Sequence, residues 1–177
     1  VRLFEVGACF AKVDGKYVQS QRLSALAYGA TQPEQWGVAA KPVDFYDVKS
    51  DLEALAGAES IRFSAFPHPA LHPGRAAQLT VRGLVAGWLG ELHPKLQQKY
   101  DLPLSSIVFE INLDLIVGRR LAQYRGYSQQ PAVRRDISVE VAENVSAQSM
   151  LEALKTGSPK IVSEVAIFDV YRGKGID

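Results

Sequence analysis

Hydrophobic and polar positions along the chain alternate in two different rhythms. Residues 1–6 (VRLFEV) and 23–30 (LSALAYGA) read as strands, separated by a polar loop around Asp14-Gly15. A polar stretch at 31–36 ends on Trp36. From 44 to 57 the period changes to that of a helix: Phe45, Val48, Leu52 and Leu55 recur at three- and four-residue steps, and Gly57 stops the run. Residues 61–66 (IRFSAF) return to strand character. Residues 76–90 read as a hairpin turning near Arg82-Gly83, with Gly87 an irregularity in its second arm. A short helix at 94–100 opens on Pro94, which suits a first helical position because its missing N–H has no intrahelical partner there. Residues 106–113 (SIVFEINL) complete the series as a strand. Many strands with few helices predict a largely antiparallel sheet, hence an α+β fold.

The pattern then breaks. Residues 118–132, rich in Arg, Gln, Tyr and Gly and closed by Pro131, read as a linker between a first region (1–117) and a second (133–177). The second region runs strand (136–142, DISVEVA), helix and strand (161–171, IVSEVAIFDVY). Ser146 is a plausible N-cap for that helix, whose Ala147, Met150, Leu151 and Leu154 share a face. The chain carries no internal repeat and no low-complexity tract.

Composition narrows the function classes. With 177 residues, 47% hydrophobic and 22% charged, the chain is of ordinary soluble globular type. No apolar run approaches the roughly 20 residues of a membrane span. The first residues lack the layout of a signal peptide, and a start without Met, on a strand, suggests a piece of a longer chain. The single cysteine, Cys9, excludes an internal disulfide and fits a reducing, cytoplasmic setting. Net charge is only +1, but Leu115 to Arg135 holds Arg119, Arg120, Arg125, Arg134 and Arg135 with no acidic residue. Such a segment can meet phosphate, or serve as a solvated connector.

The candidate chemistry concentrates at 168–175. On a strand, Asp169 and Tyr171 would share a face, beside Arg172 and Lys174. An acceptor, a flat ring and positive charge are what a single-stranded RNA base needs, while the plainer reading is a strand ending in a basic turn. His68 and His72 stand four apart, the spacing of two metal ligands on a helix, with Glu91 or His93 as a third ligand of a hydrolase. Pro69 and Pro73 follow them directly, however, and disfavour a helix there, so loop histidines are expected. Asp44, Asp47 and Asp51 form a carboxylate series better read as a solvated helix face. No phosphate-binding Gly loop and no nucleophile elbow are present, so nothing is assembled for catalysis.

Several segments together resemble the β subunit of bacterial phenylalanine–tRNA ligase, in its C-terminal region. They are VRLFEVG (1–7), VDFYDVKSDLEAL (43–55), HPALHPGRAA (68–77), GWLGELHPKL (87–96), VFEINL (108–113), P-x-x-R-R-D-I-S-V (131–139) and FDVYRGKG (168–175). The resemblance covers nearly the whole chain in order. It implies that residues 1–117 are the latter half of a class II synthetase-like antiparallel domain that is catalytically idle. The residues fit idleness: active class II sites use Arg-x-Glu on one strand, whereas Arg2 and Glu5 stand three apart and would face opposite ways. The family role is to support a catalytic α subunit in an α2β2 assembly that uses ATP and Mg at the level of the whole complex; neither is expected on this chain alone. Residues 133–177 would begin a ferredoxin-like anticodon-binding domain. There Asp169 and Tyr171 are expected to read a base of phenylalanine tRNA, while Arg134, Arg135, Arg172 and Lys174 meet phosphates. DNA is not expected as a partner. The alternative is a purely structural module packed on the α subunit. The family's editing domain and main interface helix would precede Val1. A ferredoxin-like fold needs β-α-β twice, and its first two strands are separated by the third. Residues 161–177 are therefore expected to be loosely packed or completed by another chain.

Overall fold

The computed structural model describes residues 1–58, 60–117, 124, 126 and 130–173. Two compact units divide the chain, Val1–Gln123 and Tyr124–Asp177.

The first unit is built on one antiparallel sheet. Its strands are β1 (Arg2–Val13), β2 (Lys16–Tyr28), β3 (Ile61–Ala65), β4 (Leu71–Val81), β5 (Leu84–Leu92) and β6 (Ser106–Asn112), in the spatial order β1-β2-β6-β5-β4-β3. Two hairpins turn on two residues each, and both residues have positive φ: Asp14 (49°) with Gly15 (79°), and Arg82 (52°) with Gly83 (81°). That is the turn whose twist matches the flanking strands. The Arg82-Gly83 hairpin is thus as the sequence predicts. The first hairpin is much longer than expected, because β1 and β2 stay paired down to Val13 opposite Lys16. Its outer half is exposed on both faces, so no burial imprints an alternation there, and the segment reads as a loop.

Directly opposed residues share a face. The rows Ala25–Phe109–Leu89–Ala77 and Leu23–Ile111–Gly87–Leu79–Phe63 cross one face. Helix α1 (Phe45–Ala56) contributes Val48, Leu52 and Ala56 to the same buried cluster. Leu55, predicted on that apolar face, is instead exposed, and Ala56 takes its place. Asp44 caps α1, accepting from the amides of Tyr46 and Asp47, while the Asp47 carboxylate accepts from the Asp44 amide. Lys41 bonds to Asp44 at 2.8 Å and holds that carboxyl below its ordinary range. Asp51 pairs with Arg2 at 2.6 Å. The three aspartates are therefore two cap groups and one surface ion pair.

The opposite face carries the row Glu5–Ser24–Glu110–Trp88–Gln78–Ser64. Arg2 reaches α1 on one side of the sheet while Glu5 stands on the other. Gly87 sits where a Cβ would lie 2.8 Å from the Ile111 Cα, so the β5–β6 approach leaves room only for hydrogen. Helix α2 (Pro94–Lys99) and the short α3 (Asp114–Val117) flank β6 in sequence. Glu91, 7% exposed, joins three segments: its carboxylate accepts from Arg75 of β4 at 2.6 Å and from Ser105 ahead of β6 at 2.6 Å. Burial pushes Glu91 upward, but those two hydrogen bonds outweigh it and its pKa is lowered.

The three histidines share one local motif. The Nδ1 of His68, His72 and His93 accepts the amide two residues on, from Ala70 (3.3 Å), Gly74 (3.0 Å) and Lys95 (3.1 Å). Each histidine precedes a proline, which has no amide to donate, so the next N–H closes the turn. The His68 ring also stacks on Trp88 at 4.7 Å. Among the described residues no three His, Cys, Asp or Glu side chains come together as a metal site, and no helix is long and apolar enough to cross a membrane.

Candidate nucleic-acid interface

Among its described residues the second unit holds one helix, α4 (Ala147–Gly157). Ser146 caps it as the sequence predicts, accepting from the Ser149 amide at 3.1 Å. Met150, Leu151 and Leu154 turn half-buried, but no residue of α4 is fully buried. Met150, Ala153 and Leu154 line a cavity of about 410 Å³ against Val139, Val141 and Val145.

The predicted strands at 136–142 and 161–171 differ from expectation: neither belongs to a hydrogen-bonded ladder among the described residues. The sequences keep strand character. Val165 and Ile167 are half-buried between exposed neighbours, a period of two. Two long side chains reach between the segments that carry these runs. The Arg134 guanidinium lies 5.2 Å from the centre of the Phe168 ring, and Arg172 reaches Glu143 at 3.2 Å.

Of the predicted site residues, all but Lys174 are among the described residues. Asp169 and Tyr171 are both exposed, Tyr171 by 66%. Arg134 bonds Asp136 at 3.1 Å through Nε. Arg135 donates to the Arg134 carbonyl at 3.1 Å. Lys174 lies outside the described residues, as do Arg119, Arg120, Arg125 and most of the 118–132 linker. Both arginine–carboxylate pairs are well solvated, with side chains 59–81% exposed. Such pairs contribute little and exchange readily for a stronger anion such as phosphate. Two participants escaped the sequence reading: Phe168, which takes the Arg134 guanidinium, and Glu143, which takes Arg172. The signal for Phe168 was its place one period of alternation from Val170, opposite in parity to Tyr171; nothing in the sequence singles out Glu143.

Comparison with known proteins places these observations. Residues 1–113 match a family profile described as the phenylalanyl tRNA synthetase beta chain CLM domain, and residues 128–177 match the ferredoxin-fold anticodon binding domain. The phenylalanine–tRNA ligase beta subunit of Nitrosospira multiformis is 47% identical over 177 residues, covering 100% of this chain and 22% of that protein. The beta subunit of Neisseria gonorrhoeae is 45% identical, over 99% of this chain and 22% of its own length. That of Aromatoleum aromaticum is 46% identical, over 100% of this chain and 23% of its own length. The chain spans about a fifth of the length of these curated relatives. With an antiparallel sheet under the first match and a capped helix between strand-like runs under the second, the chain belongs to the family of phenylalanine–tRNA ligase β subunits.

Proposed function

We propose that this chain is the non-catalytic, RNA-facing part of a phenylalanine–tRNA ligase β subunit. It supports a cytoplasmic α subunit in attaching phenylalanine to its tRNA with ATP and Mg. The first unit is read as half of a class II synthetase-like domain. Its Arg2 is committed to Asp51 on the α1 side, so Arg2 and Glu5 cannot converge on one substrate. ATP and Mg act at the level of the whole complex.

The second unit supplies the RNA contact. Tyr171 stacks on a base, Asp169 accepts from a base edge, and Arg134, Arg135, Arg172 and Lys174 meet phosphates. The observation that carries this reading is the match of residues 128–177 to an anticodon-binding domain, over a segment whose Asp169 and Tyr171 are exposed. Tyr171→Ala in the intact β subunit, assembled with its α subunit, is expected to weaken tRNA binding about tenfold. Binding equal to wild type in a filter assay at fixed salt would refute the assignment.

A second reading, a module that only packs on the α subunit, has its own support. Phe4 (78%), Phe10 (68%) and Tyr17 (78%) lie exposed on the core-side face of the β1–β2 hairpin. Substituting Phe10 with Lys is expected to weaken α–β association, and the tRNA affinity of Tyr171→Ala separates the two readings.

A further inference from the structure

We propose that Gly173 is the positioning residue for the Tyr171 ring, leaving open the space in which the ring lies for a base to stack on it. The inference rests on the reading of Tyr171 as the stacking group. A Cβ on Gly173 would lie 2.5 Å from Tyr171 Cζ and 3.0 Å from Cε2, with the hydroxyl nearer still. The phenol therefore folds back over the chain two residues on, into space that any side chain at 173 would fill.

The glycine is required for room and not for backbone freedom. Gly173 does not have positive φ, unlike Gly15, Gly29, Gly37, Gly57 and Gly83. Two other described glycines, Gly87 and Gly90, leave as little space for a Cβ, but backbone atoms stand among their obstacles, inside the sheet. Gly87 and Gly90 thus serve the fold. At Gly173 the obstacle is the far end of an exposed side chain that turns on two torsions. Alanine at 173 leaves the chain path intact and rotates the ring away. Tyr171 and Gly173 form one unit: the ring supplies the stacking surface, and the bare backbone sets its direction.

The test uses the intact β subunit assembled with the α subunit, in four forms: wild type, Tyr171→Ala, Gly173→Ala and the double variant. The readouts are the tRNA dissociation constant, the split of KM for tRNA against kcat, and quenching of 2-aminopurine placed in the anticodon. Phenylalanine activation without tRNA serves as a control, and thermal melting monitors the fold. Gly173→Ala is expected to weaken tRNA binding roughly three- to tenfold and to reduce quenching, through KM with kcat retained. The double variant is expected to be no weaker than Tyr171→Ala, with melting unchanged. Tyr171→Ala weakened but Gly173→Ala like wild type would overturn the positioning role and leave the stacking reading standing. Tyr171→Ala like wild type would overturn the stacking reading itself and the inference with it. Additive losses in the double variant, or a lowered melting temperature for Gly173→Ala, would show that Gly173 acts on something other than the ring, and would also overturn it.

Discussion

The two units contain strand-like sequence of similar quality and put it to different use. DISVEVA in the second unit alternates as cleanly as anything in the first, yet among the described residues only the first unit forms ladders. In the first unit β2, β6, β5 and β4 each have two neighbours, so backbone groups and apolar side chains are satisfied together. In the second, Ile137, Val139 and Phe168 remain exposed, and α4 has no fully buried residue. Alternation states which face of a strand can be buried; a ladder requires a partner at about 4.8 Å. The stability of the chain is therefore expected to sit in the first unit, and the room for adaptation in the second.

The largest effect that tests this contrast is in the sheet–helix core. Leu52 and Leu79 are both wholly buried, on α1 and β4. Leu52→Ala should cost about 3 kcal/mol, the lost transfer energy plus a cavity. Hydrogen exchange read by mass spectrometry should show protection falling in β2, β5 and β6 and unchanged in 147–157. An equal loss of protection in α4 would mean that the units unfold as one, and the contrast would collapse.

A middle-sized effect comes from the Glu91 clamp. Glu91→Gln keeps the shape but removes the charge facing Arg75 and Ser105. Because Arg75 is itself largely exposed, the cost falls well below that of a fully buried pair, at about 2 kcal/mol. The folded-state pKa of Glu91 is lowered, so its contribution is complete above the unfolded value near 4.5 and fades as pH falls through the folded value. Wild type and variant should differ in denaturant midpoint at pH 7 and converge toward pH 3. A gap that widens in acid would contradict the assigned direction.

How much of this was legible in the sequence follows the same division. Gly57, Ser146 and Arg82-Gly83 act within a few residues of themselves, and the stop, the cap and the turn stand where the pattern puts them, whereas Asp44, read as part of a solvated helix face, is the N-cap of α1. The outer half of β1–β2 was read as loop because a strand exposed on both faces carries no period. The Glu91 clamp joins β4, β5 and the approach to β6, and no local pattern reports a contact across strands. In the candidate interface, the exposure of Asp169 and Tyr171 agrees with the reading, whereas their shared strand face presupposed a ladder that these residues do not form. The pairings of Arg134 with Phe168 and Arg172 with Glu143 depend on how two distant segments approach, which single-residue chemistry does not encode.

A smaller effect isolates α4. Ser146→Ala removes the acceptor for the Ser149 amide and should cost about 1 kcal/mol of helix stability. With so little tertiary packing over α4, that loss should appear as a lower ellipticity at 222 nm well before the sheet melts. In the first unit a comparable cap loss at Asp44 would be spread over a buried helix and appear only as a shift of the main transition. Should Ser146→Ala leave the early helical signal intact, α4 would be held by packing that its exposure does not suggest.

The smallest effect in stability bears most directly on RNA. Glu143→Gln removes the charge that Arg172 faces at 3.2 Å, between side chains 74% and 81% exposed. A pair so solvated contributes under about 0.5 kcal/mol to folding, so melting should not move measurably. Its effect on phosphate binding has the opposite sign. Arg172 must leave Glu143 to meet a phosphate, and a neutral partner removes both that competition and a local negative charge. Phenylalanine tRNA should therefore bind the assembled ligase about two- to threefold more tightly at low salt, with the gain vanishing as salt screens the site. A charge that merely decorated the surface would change neither affinity nor salt slope. The two units would then be equally inert outside their cores, and the second would lose the adaptability that distinguishes it from the sheet.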